Sequence, residues 1–372
     1  MKYFIIAGER SGDQHASNLL KEISRLDGEA VARGIGGKFL KEEGMHLLMD
    51  YSGLAIMGFT EVLEKLSLIR KARKLVEEDL KENRPDCLIL VDYGGFNLRI
   101  ARTAKALGIK VFYYIPPKVW AWNTSRIEKL RDFTDRIFVI LPFEKEFYAS
   151  HGIEVDFVGN PTLDSIVNFK PSADFRQRNQ LDDKPVIAVL PGSRKAEIEK
   201  SLYRILSILP AYPGHRFVVA GVDNLPSSYY DHFRRNGKVD IVYEQTYDLL
   251  ANAEMAVVTS GTATLETALF KVPQVVVFAT NTISFLLARF FIQVKFISLV
   301  NLIAGKKVVA ELIQNKFSPA NLRTELAAIN PGGQEREEML KSYEQIREKL
   351  GDSGASERCA RLVVNLLIQK EQ

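Results

Sequence analysis

The sequence predicts an α/β fold of two doubly wound domains, and three observations carry that prediction. Short apolar runs alternate with helical stretches; the alternation breaks once and then restarts; and each half opens with a strand, a Gly-bearing turn and a helix. The opening segments are FIIAGERSGD and IAVLPGSRKAEI, a structural echo rather than a sequence repeat. Continuous apolar strands separated by helices mark a parallel sheet covered on both faces. Two Rossmann-like domains of this kind are expected to face a cleft with the carboxyl ends of their strands, where such folds bind ligands.

Residues 3–7 form the first β-rich run, followed by a turn and a helix from about Asp13 to Leu26. The run 87–91 is bounded by Pro85 and the Gly94-Gly95 pair, and runs 111–115 and 136–141 repeat the pattern. After Gly159-Asn160-Pro161 a polar stretch, 168–184, breaks the alternation, which places the first domain at 1–165. The second domain, 166–345, has strands at 186–190, 217–221, 255–258 and 275–278. From about Ser318 the chain reads as mainly helical. Its terminal helix, 346–372, is expected to return to the first domain.

The 372 residues are 46% hydrophobic and 26% charged, the composition of a folded globular protein. A formal charge of +4 is too small to demand a nucleic-acid partner, and none is expected. Cys87 and Cys359 lie far apart, and five scattered histidines complete no ligand set. No metal and no cofactor are therefore expected. The amino terminus reads as a first strand rather than a signal peptide, which implies a cytoplasmic location. One stretch, 281–304, is almost wholly apolar except for Arg289 and Lys295. Two central cations, at roughly 2.5 to 3.5 kcal/mol each, argue against spanning a membrane. The stretch suits a membrane surface, although an apolar helix in a large domain is more often core or a subunit interface, so a homodimer is admitted.

Three turns can carry chemistry. Leu190-Pro-Gly-Ser-Arg194 exposes backbone N–H groups at a strand-to-helix turn and adds an arginine suited to a phosphate. Ser260-Gly-Thr-Ala-Thr-Leu-Glu266 is a second such turn, with a glutamate placed to take both hydroxyls of a ribose. Ser260 as a plain helix cap is the alternative. Together these suit a nucleoside diphosphate, although neither a Walker motif nor G-x-G-x-x-G after a strand is present. In the first half, Asp92 follows an apolar run and precedes Tyr93-Gly-Gly-Phe-Asn97, a loop that lets a ligand approach the backbone. A carboxylate there is positioned to accept a proton, or else to cap the next helix. The turn Gly8-Glu-Arg-Ser-Gly-Asp13 reads either as a binding turn or as a helix start capped by Ser11 or Asp13.

Ten segments in order resemble the lipid A disaccharide synthases, glycosyltransferase family 19. They are AGERSGD (7–13), GIGG (34–37), MGFTEVL (57–63), DYGGFN (92–97), WAW (120–122), LPFEKEFY (141–148), FVGNP (157–161), LPGSR (190–194), SGTATLE (260–266) and LVNLIAGKKVVAELIQ (299–314). The resemblance implies a glycosyltransferase-B fold and an inverting transfer. UDP-2,3-diacylglucosamine would be joined to 2,3-diacylglucosamine 1-phosphate, giving a β-1,6 disaccharide and UDP. It implies Asp92 as the catalytic base. On the donor side it implies Gly192, Ser193, Arg194, Ser260, Gly261, Thr262, Glu266, Asn301, Glu311 and Gln314. On the acceptor side it implies Glu9, Ser11, Gly12, Asp13 and Trp120.

The chain departs from the family pattern at several points. Gly95 stands where an aspartate is frequent, which removes a rival to Asp92 as base. Pro116-Pro117-Lys118 replaces serine-proline-serine, Ala16 a glycine, and Asn160 a histidine. Acylated substrates imply work at the cytoplasmic face of the inner membrane, bound peripherally to its lipids. Two segments suit that contact: the basic stretch 69–75, with Arg70, Lys71, Arg73 and Lys74, and the phenylalanine-rich stretch 285–296.

Overall fold

The computed structural model describes residues 1–51, 62–121, 125–193, 195–222, 225–234, 237–280 and 295–369. The chain divides into two compact units, Met1–Pro161 with Asp352–Gln372, and Thr162–Gly351.

The first unit is built on β1 (Lys2–Ala7), β2 (Val31–Gly36), β3 (His46–Asp50), β4 (Cys87–Val91), β5 (Lys110–Tyr114), β6 (Arg136–Val139) and β7 (Asp156–Phe157). Their order is β3-β2-β1-β4-β5-β6-β7, and every pair is parallel. Parallel neighbours need crossovers, and helices supply them: α1 (Arg10–Leu26), α2 (Lys38–Glu42), α3 (Val62–Asn83), α4 (Gly94–Ala106), α5 (Arg126–Phe133) and α6 (Pro142–Ala149). Alternate residues of each strand face opposite sides. Phe4, Ile6, Leu88 and Leu90 pack with Ala72, Val76 and Leu80 of α3 and Ile100 and Ala104 of α4. Tyr3, Ile5, Cys87 and Ile89 pack with Leu19, Leu20 and Ile23 of α1. The final helix, Ala355–Ile368, completes that second layer through Cys359, Ala360 and Val363. Arg358 ties its start to the sheet, donating from Nε to the Val158 carbonyl at 2.8 Å. Of the carboxyl-terminal helices, only this one joins the first unit; Arg336–Leu350 stays with the second, Tyr343 receiving a bond from Gln274 Nε2 at 3.3 Å.

The second unit repeats the plan with β8 (Val186–Leu190), β9 (Arg216–Gly221), β10 (Val239–Tyr243), β11 (Ala253–Thr259), β12 (Gln274–Phe278) and β13 (Ala310–Ile313). The order is β10-β9-β8-β11-β12-β13, again all parallel. Both sheets thus have a switch point, where strand order reverses: between β1 and β4 in one, between β8 and β11 in the other. Ligands of open α/β sheets bind outside the carboxyl ends of the strands at such points.

Two local readings are corrected. The first helix starts at Arg10, not near Asp13, because Glu9 takes the extended N-cap conformation. Neither Ser11 nor Asp13 caps it.

Candidate active site

The turns after β1 and β4 flank the switch point of the first unit. Gly8 has no side chain because the ring of Tyr93 lies where a Cβ would stand, so the two turns are packed directly on one another. Asp92 and Tyr93 both adopt left-handed backbone, φ 48° and 46°, and Ile115 at the end of β5 does so at 58°. Such conformations cost non-glycine residues about 1 to 3 kcal/mol each and persist only where surroundings enforce them. Here the enforcement is visible. Asp92 N donates to the Ile115 carbonyl at 3.1 Å, while the Asp92 carbonyl accepts from Tyr113 Oη at 2.6 Å and Asn97 Nδ2 at 2.8 Å. Burial, followed by the nearby charge of Asp92, pushes the Tyr113 hydroxyl far up, so it stays a donor. The Asp92 backbone is fully committed. Among the described residues no hydrogen bond or ion pair reaches its half-buried carboxylate, and the α4 N-cap is Tyr93, so Asp92 is not a helix cap.

Asp13 is used differently from the expectation of acceptor contact. It is fully buried, and its carboxylate accepts from the N–H groups of Gly37, at 2.7 Å, Phe39, at 3.0 Å, and Leu40, at 3.4 Å. Burial raises its pKa while these three bonds oppose that rise. The GIGG segment thus ends in a turn nailed down by Asp13. Glu9 and Ser11 are exposed on the first turn of α1, beside a buried Gly12. Trp120 is also turned inward. Its Nε1–H donates to Glu144 Oε1 at 2.9 Å, and Glu144 Oε2 accepts from Leu141 N at 2.9 Å. An indole whose only donor is consumed inside the fold can offer a substrate its ring but no hydrogen bond.

In the second unit the turns after β8 and β11 flank the other switch point. Gly192 has φ +99°, a left-handed conformation that favours glycine, and the Thr259 side chain lies 3.5 Å from where its Cβ would be. Gly192, Ser193, Ser260, Gly261, Thr262 and Glu266 gather at this edge. Arg194 lies outside the described residues. Ser260 does not cap the following helix, Ala263–Leu269, whose N-cap is Thr262; its hydroxyl donates to the Ile297 carbonyl at 2.8 Å. Glu266 accepts from Tyr247 Oη at 3.0 Å, and burial holds its carboxyl above the ordinary carboxylate range, with the tyrosine bond working against that rise.

The remaining donor-side expectations resolve into internal bracing. Glu311 accepts from Ile297 N, Ser298 N, Ser298 Oγ and Asn301 Nδ2, the last at 2.9 Å. Asn301 is fully buried and accepts at Oδ1 from Val308 N and Val309 N. Gln314 bonds the backbone of Thr280 through both amide atoms, at 3.3 Å each. Glu311 and Asn301 hold the segment that follows residue 296 against β13, and Gln314 ties the end of β13 to the stretch after β12. The sequence reading missed Tyr247 and Tyr113, because their partners are remote in sequence.

Two units, each with an all-parallel sheet and a glycine-bearing turn at its switch point, define the class by fold: an α/β chain of the glycosyltransferase-B type. The crystal structure of the glycotransferase of kitacinnamycin superposes with a TM-score of 0.66 at 14% identity, covering 98% of this chain and 99% of that one. The UDP-GlcNAc 2-epimerase from Neisseria meningitidis gives 0.64 at 14% identity, covering 99% and 100%. Both show the fold alone. Sequence narrows the class further. Residues 3–364 match the family described as Lipid-A-disaccharide synthetase. The lipid-A-disaccharide synthase of Myxococcus xanthus is 36% identical over 373 residues, covering 98% of this chain and 97% of that protein. The chain belongs to the lipid-A-disaccharide synthetase family, and it is a glycosyltransferase that forms the lipid A disaccharide.

Proposed function

We propose that the second unit holds UDP-2,3-diacylglucosamine and the first holds 2,3-diacylglucosamine 1-phosphate, the two being joined by a single inverting displacement. Asp92 takes the proton from the acceptor's 6-hydroxyl as that oxygen attacks the anomeric carbon, and UDP leaves. The Gly192-Ser193 and Ser260-Gly261-Thr262 turns, with Arg194, meet the diphosphate charge, and Glu266 holds the ribose. The observation that carries this reading is the coincidence of sequence and topology. Four of the ten segments that resemble the family, those beginning at residues 7, 92, 190 and 260, lie at the turns flanking the two switch points, and the Asp92 carboxylate is left without a hydrogen bond or ion pair among the described residues. The inward bonds of Asp13, Asn301, Glu311 and Gln314 give those residues a positioning role, shaping the turns on which substrate contacts sit.

The reaction takes place at the cytoplasmic face of the inner membrane, where the acyl chains are, and a homodimer is compatible with it. Mass spectrometry of products from the two lipid substrates tests the proposal. A disaccharide 1-phosphate and UDP are expected in equal amounts. A UDP-sugar changed only in configuration would make the chain an epimerase, and UDP binding without turnover a carrier.

A further inference from the structure

Beside the Asp92 turn, the outer face of the first unit carries a cavity of about 800 Å³ between α3, α4 and α5. Its walls are single helical stripes. Arg73, Glu77 and Lys81 follow one another at four-residue spacing on α3; Gly95, Arg99 and Arg102 line α4; Arg126 and Lys129 line α5. Among the described residues Glu77 is the one carboxylate in this lining, and it is already engaged. Its Oε1 accepts from Arg73 Nε at 2.9 Å and from Thr103 Oγ1 at 2.9 Å. Lys81, Arg99, Arg102 and Lys129 are exposed, and none has an ion-pair partner among the described residues. Cations from three helices therefore converge on one concavity with their own counter-charge spent. Such an arrangement is self-repelling unless an anion enters it.

The end of the cavity nearest Asp92 is the informative one. Gly95 lies three residues after Asp92, and a Cβ at that position would meet nothing closer than Arg126 Nη2 at 4.0 Å. Space has been left there, with a guanidinium at its edge. Arginine offers a fork of donors matched to phosphate oxygens, and lysine adds a point charge. We propose that this end of the groove seats the phosphate of the sugar acceptor, with Arg99, Arg126 and Lys129 as its cations. The inference rests on the reading of Asp92 as the base: the anomeric phosphate lies one sugar ring from the attacking 6-hydroxyl, so the two must be bound close together. The volume, well above that of a phosphate alone, leaves room for part of the sugar. Arg102 and Lys81, further along, draw the anion inward.

The test is the double variant Arg99→Gln/Lys129→Gln, which changes two exposed helical residues and leaves Arg126 in place. Its KM for the 1-phosphorylated acceptor should rise about 10- to 100-fold, with kcat and UDP affinity kept. For the same acceptor without its phosphate, wild type and variant should be alike. A KM unchanged for the phosphorylated acceptor, or raised equally for both acceptors, overturns the proposal. Vesicles of phosphatidylcholine with phosphatidylglycerol separate a second source of phosphate. If the variant loses vesicle binding while its KM for acceptor in detergent micelles is unchanged, the cations serve bilayer headgroups and the proposal fails. Calorimetric titration of glucosamine 1-phosphate makes the result independent of the reaction. Saturable binding by wild type that the variant lacks upholds the groove even where no disaccharide forms. Normal turnover without that difference sinks the groove and leaves the reaction standing.

Discussion

Asp92 sits in a conformation its residue type disfavours, and the bonds that hold it there, from Tyr113, Asn97 and to Ile115, all use its backbone. That division of labour frees the carboxylate for chemistry and fixes where it points. Asp92→Asn keeps the backbone bonds, so the fold and UDP affinity should be retained while turnover falls about 10²- to 10⁴-fold. Steady-state kinetics on the purified variant check this, and near-normal turnover removes Asp92 from the role of base. Glu266 presents a titration at the same scale. Burial raises its pKa, and the bond from Tyr247 Oη favours the ionised form. A ribose hydroxyl donates to the carboxylate, not to the acid, so UDP affinity should weaken as pH falls through the Glu266 pKa. Tyr247→Phe removes the opposing bond, raises that pKa further and should move the acid limb of UDP binding to higher pH. Calorimetry across the acidic range reads the limb directly. An unmoved limb would take Glu266 out of the ribose site.

At the scale of elements, the two ends of the Asp13 story show what sequence can and cannot convey. The AGERSGD turn was legible as important, because an apolar strand running into Gly, Ser and Asp at a helix start is a strong local pattern. Which way Asp13 faces was not legible, since its three partners, Gly37, Phe39 and Leu40, arrive from the next crossover. The same holds for Asn301 and Glu311, whose motif marks a segment that resembles the family but not whether its polar atoms face a ligand or the chain itself. The α3–α4–α5 groove was not legible at all, because residues 73 and 129 come to line one cavity only in the folded unit. Asp13→Ala leaves three N–H groups without their acceptor, two of those bonds being buried, a loss of about 2 to 4 kcal/mol. For a unit of this size that lowers the melting temperature by about 5 to 15 °C, measurable by calorimetry. Asp13→Asn, which keeps an acceptor oxygen, should recover part of the loss. Unchanged melting in Asp13→Ala with weakened acceptor binding would return Asp13 to the substrate.

For the molecule as a whole, the architecture was far more legible than the contacts. Eight of the thirteen strands among the described residues overlap apolar runs that need no partner to be seen, such as CLILV and VIAVL, buried at every position. Under the proposed function, the acylated substrates bring the enzyme to a lipid surface. No helix among the described residues is long and apolar enough to cross a membrane. The phenylalanine-rich stretch expected to contribute lies, over 285–294, outside the described residues. The basic stretch does not. Arg70, Lys71, Arg73 and Lys74 are exposed on α3, while Ala72 and Val76 on its opposite face are buried against the sheet. Two of the four are paired locally, Arg73 with Glu77 at 2.9 Å and Lys74 with Glu78 at 3.7 Å, which among the described residues leaves Arg70 and Lys71 as the least compensated charges. Each basic residue near an anionic surface contributes about 1 kcal/mol. Changing all four to glutamate should move the protein from anionic vesicles into the soluble fraction, and raised salt should do the same to the wild type. Reverting Arg70 and Lys71 alone should restore most of the binding, because their charge is not spent on neighbours. Co-sedimentation unaltered by the fourfold change would reduce this helix face to a solvated surface and move the membrane contact elsewhere in the chain.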